Sequence, residues 1–169
     1  TKDKQNLIGK YNEHGYRDAR IVKDSVYRVD DNYVSIDLKI EEGPKYYFGD
    51  ITWIGNTKYN TEVLSAVLGI EKGDVYNQKI LETNLNYNPK GIDVSSLYLD
   101  DGYLFFRVNP VEVKVENDTI DLEMRIFEGK QATINRVSIK GNTRTNDHVV
   151  IRELKTQPGQ LFNRSDIIR

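Results

Sequence analysis

Apolar and polar residues alternate along several stretches of the chain, and this pattern predicts strands with one buried face and one solvent face. The alternation is clearest in residues 34–40, where valine, isoleucine and leucine alternate with serine, aspartate and lysine. Residues 120–126 repeat the pattern with Ile120, Leu122, Met124 and Ile126. Strands are predicted at residues 18–29, 34–40, 48–54, 104–115, 119–127 and 134–139.

Other apolar positions recur at helical spacing. Residues 2–14 form one such pattern, and a second helix is predicted to begin at Asn60 or Thr61 and to end at Gly69 or Gly73. A third begins near Asn77, is interrupted at residues 88–91 because proline and glycine break helices, and resumes over residues 94–101. The helical positions predicted to face inward are Val63, Leu64, Val67, Leu68, Ile80, Leu81, Leu85, Leu97 and Tyr98; with Ile51, Leu122, Met124 and Ile126 they supply the predicted core.

A long-period repeat organises these elements. The stretch Gly55-Asn56-Thr57 recurs as Gly141-Asn142-Thr143, 86 residues later. Further pairs keep nearly the same spacing: Gly43 and Gly129, Gly73 and Gly159, Asn77 and Asn163, Gly15 and Gly102. The chain is therefore predicted to be α+β, with tandem β-α-α-β-β units. Residues 1–46 would be the C-terminal part of one unit, residues 47–130 a complete unit, and residues 131–169 the N-terminal part of a third.

Two local features refine the predicted unit. Gly55, Asn56, Gly141 and Asn142 are predicted structural turns, because glycine and asparagine tolerate positive φ where a strand ends. Pro110 lies in the fourth predicted strand and lacks the amide hydrogen that a central strand requires. The sequence therefore predicts a mixed three-stranded sheet in which the last strand is central and the strand at residues 104–115 is an edge. The links at residues 42–44 and 128–130 are short, so we expect neighbouring units to have restricted freedom.

Composition and charge narrow the possible functions. The net charge of −2 argues against binding to nucleic acid or an anionic membrane, and cysteine is absent. His14 and His148 are interpreted as exposed residues at helix ends, and the pairs Asp30-Asp31 and Asp100-Asp101 as turn residues. No catalytic residue, cofactor site or metal site is predicted, and the chain is expected not to be an enzyme.

The ordered motifs resemble those of a known family. The unit order, the strand-ending Gly-Asn-Thr, Gly-Asp-Val-Tyr-Asn at 73–77, Asp-Gly-Tyr at 101–103 and Glu-Gly at 128–129 are similar to POTRA repeats of the outer-membrane β-barrel assembly (Omp85) family. The resemblance implies a non-catalytic scaffold at the periplasmic face of the bacterial outer membrane, linked to a C-terminal membrane β-barrel outside this segment. It also implies two kinds of partner, unfolded outer-membrane β-barrel proteins and accessory assembly lipoproteins.

The predicted edge strand is the candidate binding surface. An extended peptide can add to a free sheet edge through backbone hydrogen bonds, with little dependence on its sequence. Two alternatives remain open: a structural connector that sets the geometry between barrel and partners, or the POTRA region of a two-partner secretion or related translocation pore. The predicted partner-binding residues are Leu104, Phe105, Phe106, Arg107 and Val108, with Arg20, Ile21 and Val22 in the preceding unit.

Overall fold

A computed structural model describes residues 2–89 and 93–168 of the chain. The helices are α1 (Lys2–Glu13), α2 (Thr61–Leu68), α3 (Gln78–Asn86), α4 (Val94–Asp100), α5 (Asp147–Glu153) and α6 (Arg164–Ile168). The strands are β1 (Arg20–Arg28), β2 (Val34–Glu41), β3 (Tyr47–Ile54), β4 (Arg107–Glu116) and β5 (Thr119–Phe127). The order from β3 to β5 is the predicted β-α-α-β-β, with the second helix divided into α3 and α4.

The predicted sheet order is confirmed. β1 and β2 form a two-stranded antiparallel sheet, and the second sheet has the order β3-β5-β4. β5 is therefore central, and the Pro110-containing β4 lies at an edge. Asn117 and Asp118 both have positive φ, at 49° and 60°, and turn β4 back into β5.

Helix ends follow the predicted signals. Asn60 caps α2, because its side chain accepts a hydrogen bond from the Val63 N–H at 3.0 Å, and Gly69 ends the helix in the left-handed conformation. Asp93 caps α4 by accepting from the Ser96 N–H at 2.8 Å. The predicted break at residues 88–91 falls partly on Lys90 and Gly91, which lie outside the described residues.

The chain divides into two compact bodies, whose limits differ from those of the predicted repeats. The first body contains Thr1–Ile51, Ile70–Leu81 and Glu112–Leu122, and the second contains Thr52–Gly69, Glu82–Val111 and Glu123–Arg169. The main buried apolar residues of the first body are Phe48, Ile70, Tyr76, Leu81, Ile120 and Leu122. Those of the second body are Trp53, Leu64, Leu68, Leu85, Val94, Tyr98, Phe106 and Met124.

Several core predictions are wrong or only partly met. Val63 and Ile80 are exposed, because each lies about 100° around its helix from the buried leucine that follows it. Ile51, Val67, Leu97 and Ile126 are half-buried. In β2, Val34, Ile36 and Leu38 are exposed although their alternation predicts a buried face. The described residues provide no counterpart of β3 and α2 to cover that face.

The predicted strand at residues 134–139 is also wrong. Within the described chain this stretch has no neighbouring strand, and a strand requires one for its backbone hydrogen bonds. What forms instead is a single bridge between Thr133 and Leu161. Tyr47 and Val75 form the equivalent bridge 86 residues earlier.

These bridges belong to two sets of backbone contacts with the same pattern, which we call the first and second junctions. In the first junction, the Tyr46 N–H donates to the Gly15 carbonyl at 2.9 Å, and the Tyr76 N–H donates to the Tyr46 carbonyl at 2.9 Å. The second junction repeats both bonds, from Ala132 to Gly102 at 2.7 Å and from Phe162 to Ala132 at 2.9 Å. Two further bonds follow in each junction. In the first, the Phe48 N–H donates to the Asp74 carbonyl, and the Phe48 carbonyl accepts from the Gly73 N–H. In the second, Ile134 bonds in the same way to Gln160 and Gly159.

Candidate functional site

The candidate binding surface begins at the N-terminal end of β4. Here the predicted strand boundary is wrong, because Leu104, Phe105 and Phe106 lie in a turn that precedes the strand. The Leu104 N–H donates to the Gly102 carbonyl at 2.9 Å, and the Phe106 N–H donates to the Tyr103 carbonyl at 3.0 Å. The N–H groups of Leu104 and Phe106 therefore bond before the strand, and β4 begins at Arg107.

Aromatic packing holds this turn in place. The Phe106 ring stacks on the Tyr98 ring of α4, with centroids 4.0 Å apart and an interplanar angle of 12°. Tyr98 is fully buried and also meets Tyr59 and Tyr103 edge to face. Because Phe106 points inward, the preceding Phe105 points out and is 63% exposed.

Phe105 is part of a small exposed cluster, which we call the edge patch and define as Leu104, Phe105, Arg107 and Phe127. Leu104 and Phe127 are both exposed, and the Arg107 guanidinium lies over the Phe127 ring at 5.2 Å from its centroid. The four residues place apolar surface and one positive charge beside the start of the free strand edge. A patch of this type offers contact area to side chains of an added strand.

The second predicted edge, at Arg20, Ile21 and Val22, has a different geometry. In the antiparallel pairing of β1 with β2, Arg20 lies opposite Glu41 and Ile21 lies opposite Ile40. The register then shifts, and Val22 has no opposite residue in β2. A bulge of this kind twists an edge and interrupts its row of backbone groups. The row of backbone groups that β1 could offer to a peptide is thus interrupted at Val22.

The structural turns have a partner that the sequence analysis missed. Gly55 and Gly141 have φ of 88° and 89°, and the side-chain amides of Asn56 and Asn142 donate to carbonyls three residues on, at 3.0 and 2.8 Å. In the complete unit the turn is also held by Glu128, from the Glu-Gly motif. The sequence did show that the Glu-Gly motif occurs twice, at residues 42–43 and 128–129. The role of the glutamate becomes clear only in the structure, where the end of β5 lies beside the turn.

The Glu128 carboxylate accepts four hydrogen bonds. The donors are the Thr57 N–H at 2.8 Å, the Lys58 N–H at 2.9 Å, the Tyr98 hydroxyl at 3.1 Å and the Thr57 hydroxyl. Burial alone would raise the pKa of Glu128, but these donors outweigh it and lower the pKa below its usual 4.5. Burial also raises the pKa of the Tyr98 phenol above its usual value, and the hydroxyl donates to Glu128.

We expect replacement of Glu128 by glutamine to destabilise the fold in a pH-dependent way. At pH 7 the loss should be about 1–2 kcal/mol, because a charged acceptor for several donors becomes neutral. A lowered folded pKa means that the carboxylate's stabilisation is present above the unfolded pKa and disappears as the pH falls through the folded pKa. The difference between the natural chain and Glu128→Gln in urea denaturation should therefore shrink below about pH 4.5. A difference that stays constant from pH 7 to pH 2.5 would contradict this role for the charge.

The residues considered for other chemistry are dispersed. His14 and His148 are exposed. Asp30 accepts bonds from the Asn32 and Tyr33 N–H groups in a turn, and Asp101 pairs with the Lys58 ammonium at 2.7 Å. In the part of the chain that the structure describes, no three His, Cys, Asp or Glu side chains are grouped so that they could hold a metal ion. Among the same residues, no helix has the length and apolar character that spanning a membrane requires.

Comparison with known proteins gives consistent matches. The POTRA family model, described as surface antigen variable number repeat, matches residues 46–129 and 132–169. A putative outer membrane protein assembly factor of Treponema pallidum is 28% identical over 169 residues, which cover 96% of this chain and 20% of that protein. The outer membrane protein assembly factor BamA of Nitratidesulfovibrio vulgaris is 29% identical over 157 residues, covering 92% of this chain and 20% of that protein. The chain thus spans about a fifth of the length of these curated relatives.

A solved structure shares the fold. The Haemophilus influenzae BamA POTRA3-5 structure superposes with a TM-score of 0.70 at 22% identity, over 99% of this chain and 65% of that one. At this level of identity the superposition shows a common fold alone.

Proposed function

Because the chain belongs to the POTRA family, we propose that it is part of the periplasmic scaffold of an outer-membrane protein assembly factor. Its relatives by sequence are named as such factors. The proposed partners are unfolded outer-membrane β-barrel proteins and accessory assembly lipoproteins, and the proposed location is the periplasmic face of the outer membrane. The division into parts at residues 46/47 and 130/131 belongs to the same proposal.

The free edge of β4 is the observation that carries this function. Among the described strands, β4 pairs with β5 alone, and the edge patch lies at the start of β4. Precursors of β-barrels are rich in alternating strand sequences, which can pair with a free edge whatever their side chains. The edge of β4 that begins at Arg107 and Val108 is favoured over that of β1, because the register shift at Val22 interrupts β1.

Binding of a peptide should weaken when the outward amide of the edge is removed. In a strand at the edge of an antiparallel pair, neighbouring residues direct their N–H groups alternately toward the partner strand and toward solvent. Of the variants Arg107→Pro and Val108→Pro, we therefore expect one to fold normally and to bind a barrel-strand peptide with about tenfold lower affinity. The measurement is titration of the peptide followed by amide chemical shifts.

Two comparisons make the test specific. Val22→Pro places proline in the bulge of β1 and should leave the affinity unchanged within about twofold, since that edge is not the receiving one. Phe105→Ala should weaken binding by only about threefold, because it removes contact area and no backbone group. Peptide-induced shifts confined to residues 50–54 or to the helices, with residues 104–108 silent, would refute binding at β4.

A connector role is the second candidate, and the junctions favour it. Both junctions use the same backbone hydrogen bonds, which supports a defined local geometry where one predicted repeat follows the next. A connector needs such geometry and needs no client. A chain that binds no barrel-strand peptide would leave this role as the better description.

A further inference from the structure

Each junction contains an asparagine at an equivalent position, 86 residues apart. Asn77 precedes α3, and its Oδ1 accepts a hydrogen bond from the Ile80 N–H at 3.0 Å. Asn163 precedes α6, and its Oδ1 accepts from the Asp166 N–H at 3.0 Å. With this half of the side chain, each asparagine caps the helix that follows it.

The other half of the same side chain reaches the preceding part of the chain. The Asn77 Nδ2 group donates to the carbonyl of Glu13, at the end of α1, at 2.9 Å. The Asn163 Nδ2 group donates to the carbonyl of Asp100, at the end of α4, at 3.0 Å. Carbonyls at a helix end lack intrahelical partners, so each amide satisfies an acceptor that the helix itself leaves open.

A charged contact accompanies each of these bonds. The Glu13 carboxylate meets the Lys79 ammonium at 2.7 Å, and hydrogen bonds from Lys10 and Lys79 lower the pKa of Glu13 to about 2. At the second junction the Asp100 carboxylate accepts from the Ser165 N–H at 2.8 Å and from its hydroxyl at 2.7 Å. The partners differ between the junctions, whereas the asparagine and its two bonds are the same.

We propose that Asn77 and Asn163, the bridging asparagines, each fix the local geometry where one predicted repeat follows the next, by joining the start of one helix to the end of the last helix of the preceding repeat. Only a side chain with a donor and an acceptor side by side forms both bonds, and asparagine has the length to do so at a helix cap. Aspartate also caps a helix well, but it would place a second acceptor against the carbonyl of Glu13 or Asp100. The bridging asparagines act in this way whether or not a peptide binds to β4.

Hydrogen exchange of two amides tests each junction separately. In Asn77→Asp, the Tyr46 amide, which donates across the first junction, should exchange about tenfold faster, while the Ala132 amide of the second junction is unchanged. In Asn163→Asp the two responses should be reversed. Asn60→Asp is the matched control, because Asn60 caps α2 in the same way, and it should leave both amides unchanged.

Serine variants keep the test decisive if an aspartate variant fails to fold. Asn77→Ser and Asn163→Ser retain a neutral capping group but are too short to reach the preceding helix, so they should give the same junction-specific loss of protection. Unchanged protection of Tyr46 in both variants of Asn77 would overturn the proposal. An equal increase in exchange at the two junctions and in α2 would also overturn it, since it would show a general loss of stability.

Discussion

Replacing Leu122 by alanine should lower the free energy of unfolding by about 3 kcal/mol, the range for removing a large aliphatic side chain from a packed interior. Leu122 lies in the central strand β5 and is 1% exposed. The residues around such a side chain can fill the space only partly after truncation. Lost contacts and a remaining cavity therefore both contribute to the loss of stability. The measurement is urea denaturation followed by two-dimensional NMR, which resolves amides from each part of the chain.

Ile36 is the matched control, because it occupies the same position 86 residues earlier. It is 62% exposed in β2, so Ile36→Ala should change the stability of the β1–β2 sheet by less than about 0.5 kcal/mol. Equal losses of stability for the two variants would contradict the difference in burial between Leu122 and Ile36. A cost below about 1 kcal/mol for Leu122→Ala would show that β5 is packed less tightly than its exposure indicates.

Replacing Gly55 by alanine should cost about 3 kcal/mol, although it adds a single methyl group. The φ of 88° costs an L-residue about 1–2 kcal/mol. In addition, the new Cβ would lie 2.3 Å from the Ile126 carbonyl oxygen, so the turn or the end of β5 must move. The measurement is the free energy of unfolding of the variant by urea denaturation.

Gly73→Ala separates the two contributions. Gly73 has a similar φ of 95°, but apart from its two chain neighbours no residue has an atom within 4 Å of the position its Cβ would take. This variant should therefore cost only the conformational part, about 1–2 kcal/mol. If Gly55→Ala costs no more than Gly73→Ala, the close approach to Ile126 has no energetic weight.

Features controlled by neighbouring residues were predictable from the sequence. Asn60 caps α2 because the cap needs only its own side chain and the next helical turn. The edge position of β4 followed from Pro110, since one missing N–H is incompatible with pairing on both sides. The burial of Leu122 and Met124 followed from strict alternation in a strand covered on one face.

Features that depend on distant residues were not predictable in the same way. Leu104, Phe105 and Phe106 have strong strand propensity, yet stacking of Phe106 on Tyr98 and the turn after Gly102 keep them out of β4. A glutamate at the end of a strand is common and does not by itself indicate a buried role. The donors to Glu128 come from the turn after β3 and from Tyr98 of α4, which are distant in sequence. Residues 134–139 have a strand pattern, but among the described residues no strand lies beside them to pair with.

The junctions also bear on how such a chain can change in length. Most of their shared bonds join main-chain atoms, and several of the residues that supply these bonds differ: Tyr46 corresponds to Ala132, Tyr76 to Phe162 and Phe48 to Ile134. The bridging asparagines and the glycines are the same at both junctions. Insertion or deletion of one whole 86-residue block would therefore present a compatible surface at the new boundary, without compensating substitutions on either side. Gene duplication within a repeat array can in this way yield a folded product at once, and selection then acts on side chains such as those of the edge patch.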